Sequence, residues 1–243
     1  MITGIVVALP EELSTLTARK IAKGQCDFIN DTVLVALAGT GSRNAQLAAE
    51  LLVAQGASQL ISWGCAAALN DQLKPGDLTL AKSLVDTDDR QGAEFEISSR
   101  WQSHCQSLLA AVLVVHNGAL ATSKALVGSS ANKKQLFVET GACAVDMESV
   151  AVAKTAKQHA MPFIAIRAIA DPANMDLPLA ISAALNTEGD VVLSKLLGYL
   201  VRHPGELPGL IKVGLQFKAA QRTLKNVAKL LNEISCFNQA KIV

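Results

Sequence analysis

The sequence predicts an α/β fold, a three-layer α/β/α arrangement in which helices cover both faces of a central twisted sheet, with a helical C-terminal extension. Short β-branched runs alternate with Ala/Leu-rich runs of helical length, the pattern of strands covered by helices. Runs such as "FIAIRAIAD" are apolar at successive positions, as a strand buried on both faces requires. Beyond about Leu177 only helical patterns remain.

The run "ITGIVVAL" reads as a buried first strand, ended by Pro10 and two acids that suit a helix N-terminus. "VLVALAGTG" is a second strand entering a glycine turn. Ser42 is a suitable N-cap for the helix "RNAQLAAELLVAQ", which Gly56 closes. "SQLISWG" is the next strand, followed by a small-residue loop "CAAALN", the turn "KPGD" and the strand "LTLAKSLV". The charged stretch from Asp86 to Glu94 reads as a surface loop. "LLAAVLVVHNGALATS" mixes a helix end with strand. "VAVAKTAKQHA" is helical, and "MPFIAIRAIADP" is a buried strand that Pro172 ends. In the tail, Leu210, Val213, Phe217, Ala220, Leu224, Val227, Leu231 and Ile234 form a stripe at alternating spacings of three and four. Lys212, Lys218, Arg222, Lys225 and Lys229 fall off it, so the helix is basic and amphipathic.

Composition narrows the function classes. The 243 residues are half apolar, enough for a sizeable core, and a prior of about one domain per 150 residues allows one or two domains. A division at 1–176 and 177–243 follows the change of pattern. With 22 basic against 21 acidic residues there is no field to attract nucleic acid, and a small ligand is the default partner. Cys26, Cys65, Cys105, Cys143 and Cys236 are scattered singly, which suits reduced thiols in a cytoplasm, and no His or Cys spacing suits a metal. The N-terminus lacks the pattern of a signal peptide, and no apolar run reaches the roughly 18 to 20 residues that span a bilayer.

Arg167 and Asp171 stand in an otherwise apolar strand. Four residues apart, they are expected on one face at roughly 13 Å, too far to pair directly. Each needs another partner, because an unpaired buried charge is costly, and Glu148 and Glu12 are the candidate acids. A structural ion pair at a sheet end is the plain alternative. The loop "AGTGSRNA" is a tight turn whose Gly41 amide, with Arg43, offers a possible anion site; it lacks a full GxGxxG. "GSS" at Gly128 to Ser130 lacks the elbow of a serine nucleophile.

Four stretches, "GIVVALPEEL", "GTGSRNAQLAAELL", "SWGCAAALNDQLKPGDLTLA" and "AVDMESVAVAKTAKQHAMPFIAIRAIADPA", resemble the purine nucleoside phosphorylase and nucleosidase superfamily, which includes the methylthioadenosine/S-adenosylhomocysteine nucleosidases. Their order and spacing match over roughly Ile2 to Ala173. The basic tail with "LVRHPGELPGLIKVG" is similar to the hopanoid-associated phosphorylase branch, whose implied substrate is adenosylhopane, cleaved to release adenine.

The resemblance implies a central mixed sheet and two catalytic residues. These are Asp171, which protonates or hydrogen-bonds the purine at N7, and Glu12, which orients or deprotonates the attacking water. It further implies Glu148 on the ribose hydroxyls, Met147 against the sugar, and Arg167 near the nucleophile. Val127 falls where a backbone group reads the purine edge, and Leu126 where an aromatic residue stacks on the base. Cys65 and Ala66 belong to the substrate loop. No metal and no cofactor are implied, and inorganic phosphate enters only as the co-substrate of a phosphorylase.

Three departures stand out. The family's Gly-Ser-Ala-Gly-Gly loop is here Gly64, Cys65, Ala66, Ala67, Ala68; Ala170 replaces a serine before Asp171; and Ser123 and Lys124 replace Gly-Asp. Three readings follow. The first is an enzyme acting on an adenosine-type lipid, with the tail resting on the inner membrane face. The second is a soluble cytoplasmic nucleosidase whose tail packs on the body or zips a dimer. The third is a nucleoside-binding module weakened in catalysis. The superfamily implies homo-oligomers. Glu12 should repel phosphate and favour water, with Arg43 and Arg167 as the offsetting cations.

Overall fold

The first apolar run forms β1 (Thr3–Val7), buried at all five positions, between the parallel neighbours β3 (Val33–Leu37) and β4 (Gln59–Ala68). The computed structural model describes residues 1–88, 94–184, 186 and 192–237. Pro10 opens the short helix α1 (Pro10–Leu13). The strand β2 (Gln25–Asn30) covers the edge beyond β3 in antiparallel pairing. The helix α2 (Ser42–Ala54) starts one residue after Gly41, the residue in N-cap position, whose φ of +92° favours glycine, and Gly56 closes it with a φ of +91°.

The strand β4 is longer than the sequence reading allows: Cys65, Ala66, Ala67 and Ala68 continue the strand instead of forming a loop. Small side chains look loop-like in isolation, yet here they are held by a ladder to β9 (Phe163–Asp171). The sheet continues through β5 (Leu78–Asp86), β6 (Glu94–Glu96), β7 (Val115–Thr122) and the short β8 (Ala144–Asp146). Of the stretch expected as a loop, Asp86 ends β5, Glu94 begins β6, and residues 89–93 lie outside the described residues. Parallel and antiparallel pairs are both present, so the sheet is mixed.

The pairings also close a circuit, from β4 to β9, β9 to β5, β5 to β7, β7 to β8 and β8 back to β4. Every residue of β9 from Phe163 to Ile169 is buried, as a strand covered on both faces must be. Helix α2 packs against α5 (Ser149–Gln158) and both lie on the sheet, while α3 (Ser99–Ala110) lies against β5 and β7. Helix α4 (Ser130–Thr140) follows β7.

The C-terminal segment is helical, as expected: α6 (Leu179–Ala184), α7 (Leu193–Arg202), a single 3₁₀ turn at Pro204–Glu206, α8 (Leu207–Ala228) and α9 (Leu231–Ser235). Its apolar stripe divides. Ala220, Leu224, Val227, Leu231 and Ile234 are buried in the same core as the sheet, and α8 runs along β9. The stripe's N-terminal members Leu210, Val213 and Phe217 are half-buried, and the exposed apolar residues of that half of α8, Leu207, Ile211 and Leu215, lie off the stripe. Trp101 donates its indole N–H to the Ile234 carbonyl at 2.9 Å, fixing α9 to α3.

Leu224→Ala should therefore lower unfolding stability by about 2–5 kcal/mol in urea titrations, since it opens a cavity in a common core. Leu215→Ala, at a side chain 63% exposed, should stay within about 0.5 kcal/mol.

Candidate active site

Glu12 sits in the third position of α1, where a carboxylate can turn back onto the helix N-terminus. Its Oε2 accepts the amide N–H of Ala8 at 3.2 Å and of Leu9 at 3.1 Å, and its Oε1 accepts that of Cys65 on β4 at 2.7 Å. A Cβ at Gly64 would stand 2.5 Å from Glu12 Oε1, so only glycine lets the carboxylate lie on the strand. The glycine kept at the head of the altered loop thus preserves close backbone approach to Glu12. Burial raises the Glu12 pKa, opposed by the charge of Arg167 and by the three amides.

Arg167 is 2% exposed, and its partner is neither Glu12 nor Glu148 but Asp146. Nε donates to Asp146 Oδ2 at 2.8 Å, and Nη2 donates to the hydroxyls of Ser62 at 2.7 Å and Ser149 at 3.1 Å. Asp146 also caps the head of α5 from the last position of β8: its Oδ1 accepts the amides of Glu148 and Ser149 and the Thr122 hydroxyl. Burial would lower the Arg167 pKa, yet Asp146, Glu148 and Glu12 together raise it above its ordinary value. Arg167 Nη1 is buried with no hydrogen-bond partner.

Glu148 is buried beside this pair, in the position that precedes α5. Its Oε1 accepts the Gly41 amide at 2.8 Å, and the Ser42 hydroxyl donates to the Met147 carbonyl at 3.0 Å. The glycine turn is thereby tied to the head of α5. Gly41 gives its N–H to a carboxylate of the chain itself, which corrects the expectation of an anion site there, and Arg43 is exposed. Burial and the Asp146 charge push the Glu148 pKa up to about 7.

Asp171 lies at the other end of the β4–β9 ladder. The register shifts between Ala66 and Ala67, so that Ala66 faces Ile169 and Ala67 faces Asp171. This bulge takes Asp171 out of the strict alternation that would put it on the Arg167 face. Its partner is Lys133 of α4, a residue the sequence reading did not single out: Nζ lies 2.7 Å from Asp171 Oδ2. Asp171 Oδ1 is buried with no partner. Burial raises the Asp171 pKa, with Lys133 opposing.

The remaining expected residues take varied positions. Met147 is half-buried next to Glu148. Val127 is half-buried against Leu69, Ala121, Ala142 and Val145, whereas Leu126 is exposed. Cys65 is half-buried with its amide on Glu12, and Ala66 is buried in the main core. Arg167 and its neighbours therefore form one end of the site and Asp171 with Lys133 the other. Among the described residues no group of three His, Cys, Asp or Glu side chains could hold a metal ion.

The Glu148 carboxyl binds its proton more tightly folded than unfolded, so its contribution to stability is fully present below about pH 4.5 and is lost as pH rises through about 7. Glu148→Gln should gain stability relative to the wild type over that window, on the order of 1 kcal/mol per pH unit, and parallel stability profiles would refute this. Asp146→Asn breaks a buried pair and should cost about 3–5 kcal/mol in the same titrations.

Known proteins resemble this chain in sequence and in fold. The model of the Phosphorylase superfamily matches residues 3–192. The 5'-methylthioadenosine/S-adenosylhomocysteine nucleosidase of Staphylococcus haemolyticus is 28% identical over 201 residues, 70% of this chain and 86% of that protein. The Staphylococcus carnosus nucleosidase of the same description is 26% identical over 225 residues, 79% of this chain and 98% of that protein. Among solved structures, the futalosine hydrolase of Helicobacter pylori shares the fold with a TM-score of 0.69 at 20% identity, covering 96% of both chains. The H. pylori methylthioadenosine/S-adenosylhomocysteine nucleosidase bound to butyl-thio-DADMe-Immucillin-A also superposes with a TM-score of 0.69 at 20% identity, again covering 96% of both. A match running from the first strand to the start of α7 is decisive, and the chain belongs to the Phosphorylase superfamily.

Proposed function

We propose that this protein, a glycosyl-bond-cleaving enzyme by family, hydrolyses the N-glycosidic bond of an adenosine-type nucleoside and releases adenine. The observation that carries the reading is the placement of Glu12 and Asp171 along one strand pair. Glu12 is bonded at Cys65, and Asp171 is level with Ala67. Glu148 and Arg167 stand at the Glu12 end. Two to three residues of strand, at about 3.3 Å each, separate the ends by roughly 7–10 Å, a span suited to ribose plus purine.

In this reading Asp171 gives a proton or a hydrogen bond to purine N7 as the C1′–N9 bond breaks and its electron pair passes to the base. Glu148 binds ribose hydroxyls. Glu12 orients a water whose oxygen bonds to C1′ and accepts the proton it releases, in an oxocarbenium-like displacement. Water is favoured over phosphate because Arg167 is already surrounded by Asp146, Glu148 and Glu12, and the Gly41 amide is taken. A phosphate would add negative charge to three acids around one cation.

The ribose substituent we assign is an apolar one, as in adenosylhopane of the hopanoid-associated branch. Leu197 and Val201 of α7 and Leu207, Ile211 and Leu215 of α8 are exposed, with Arg202, Lys212 and Lys218 exposed among them. Such a face suits peripheral contact with an anionic membrane from the cytoplasmic side. It also abuts the segment after Asp171, since Gln216 donates to Met175 Sδ at 3.7 Å and a Cβ at Gly209 would stand 3.0 Å from Pro178. The Staphylococcus relatives favour methylthioadenosine or S-adenosylhomocysteine as the second reading. No helix among the described residues is long and apolar enough to cross a membrane.

Adenine release should be the same with and without inorganic phosphate, and an absolute phosphate requirement would make the enzyme a phosphorylase. Asp171→Asn and Glu12→Gln should each lower kcat by about 10²- to 10⁴-fold. Adenosine binding by calorimetry with no adenine release from any of these substrates would leave only a binding module. For the substituent, adenosylhopane in anionic vesicles should outcompete methylthioadenosine in kcat/KM. The paired change Ile211→Glu with Leu215→Glu should abolish vesicle sedimentation. Preference for methylthioadenosine, with no sedimentation of the wild type, selects the second reading.

A further inference from the structure

The side chain that holds Asp171 comes from an unexpected place. Helix α4 is exposed or half-buried along its length, and the residue of it that is buried is a lysine, Lys133, with no exposed surface. Burying a lysine is costly unless its charge is paired and its three donors are used. All three are used within a five-residue stretch: Asp171 Oδ2 at 2.7 Å, the Pro172 carbonyl at 2.9 Å and the Met175 carbonyl at 2.8 Å. The first turn of α4 also grips the residue that follows this stretch, since Ser130 donates its amide to Asp176 Oδ1 at 2.6 Å.

We infer that Lys133 is the positioning residue of the base end of the site: its ammonium fixes Asp171 Oδ2 and leaves Oδ1 as the oxygen presented to the purine. This rests on the proposed nucleosidase reading for what Oδ1 meets, and on the structure for the clamp itself. Two independent observations support it. Asp171 Oδ1 is buried without a partner, which is costly in a free protein and is relieved by a ligand donor or by a proton shared with one. Residue 170 is alanine, so the chain supplies no hydroxyl from the neighbouring position, and the lysine does that work from another helix. The charged groups that act on Asp171 are Lys133 from α4 and Asp176 from the segment after β9; the facing position on β4 is Ala67. The lysine favours the carboxylate while burial favours the acid, so the pair tunes Asp171 as well as holding it.

The test compares Lys133→Met, Lys133→Gln and the double variant Lys133→Met/Ala170→Ser with the wild type, each checked for native circular dichroism. Lys133→Met should lose about 10²-fold in kcat, as expected when a reacting group is misplaced, with KM changed less than about threefold. The alkaline limb of its kcat profile should move up by about one pH unit or more, because the cation that stabilises the carboxylate is gone. Lys133→Gln should lie between, keeping donors without charge, and Ala170→Ser should restore about tenfold by supplying a hydroxyl beside Asp171. A folded Lys133→Met with wild-type kcat and an unmoved alkaline limb overturns the inference, since a purely structural lysine predicts that result.

Nitrogen-15 NMR of the lysine ammonium groups gives an answer that needs no turnover. Lys133 Nζ should be protected from exchange in the wild type and should shift in Asp171→Asn, and an exchanging, unshifted signal also overturns the clamp. A wild-type enzyme that releases no adenine refutes the functional reading, while the NMR result still decides the clamp.

Discussion

The site depends on one buried ion pair, Arg167 with Asp146. It joins the middle of β9 to the end of β8, and through Ser62 and Ser149 it reaches β4 and the head of α5. A charge pair so deep in a sheet is not retained for stability, since an apolar replacement of the same shape would often do as well. Its value lies in what surrounds it. Asp146 caps α5 and thereby sets where Glu148 stands, while Arg167 provides the positive charge that lets Glu12 and Glu148 remain buried nearby.

Much of the fold was legible because strands buried on both faces are apolar at every position and helices keep their period. β1, β3 and most of β9 come from such runs. The end of β4 was not legible: Cys65 to Ala68 carry no β-branched residue, and their strand character comes from the ladders to β9 and, at Ala67 and Ala68, to β8. The bulge at Asp171 is equally silent in sequence. It depends on how two strands meet, and it overturned the expectation that Arg167 and Asp171 share a face.

The partners of the two buried charges show the same limit. Asp146 stands two residues before Glu148, and its pairing with Arg167 was not visible in the sequence, because the two meet only through the β8–β4–β9 pairings. Lys133 had even less to mark it. It precedes a second lysine in a polar helix, and only the burial of its whole side chain separates it from that exposed neighbour. What the sequence did contain was the need: an aspartate in an apolar strand, next to an alanine, with the strand's own Arg167 too far along it to pair directly. The stripe of α8 was legible as amphipathic, but the second apolar surface, Leu207, Ile211 and Leu215 facing outward beside it, was not.

The closed circuit of strands has a consequence for traffic. β9 has hydrogen-bonded neighbours on both sides, and the circuit returns on itself through β8, so within it no strand can peel away to open a side door. For the proposed nucleoside the circuit leaves the strand ends as the way in, between the connection of residues 123–129 and the connection of residues 172–178. These are the two segments that the first turn of α4 fastens to one another. The helix that holds the aspartate thus also fixes the spacing of these two segments.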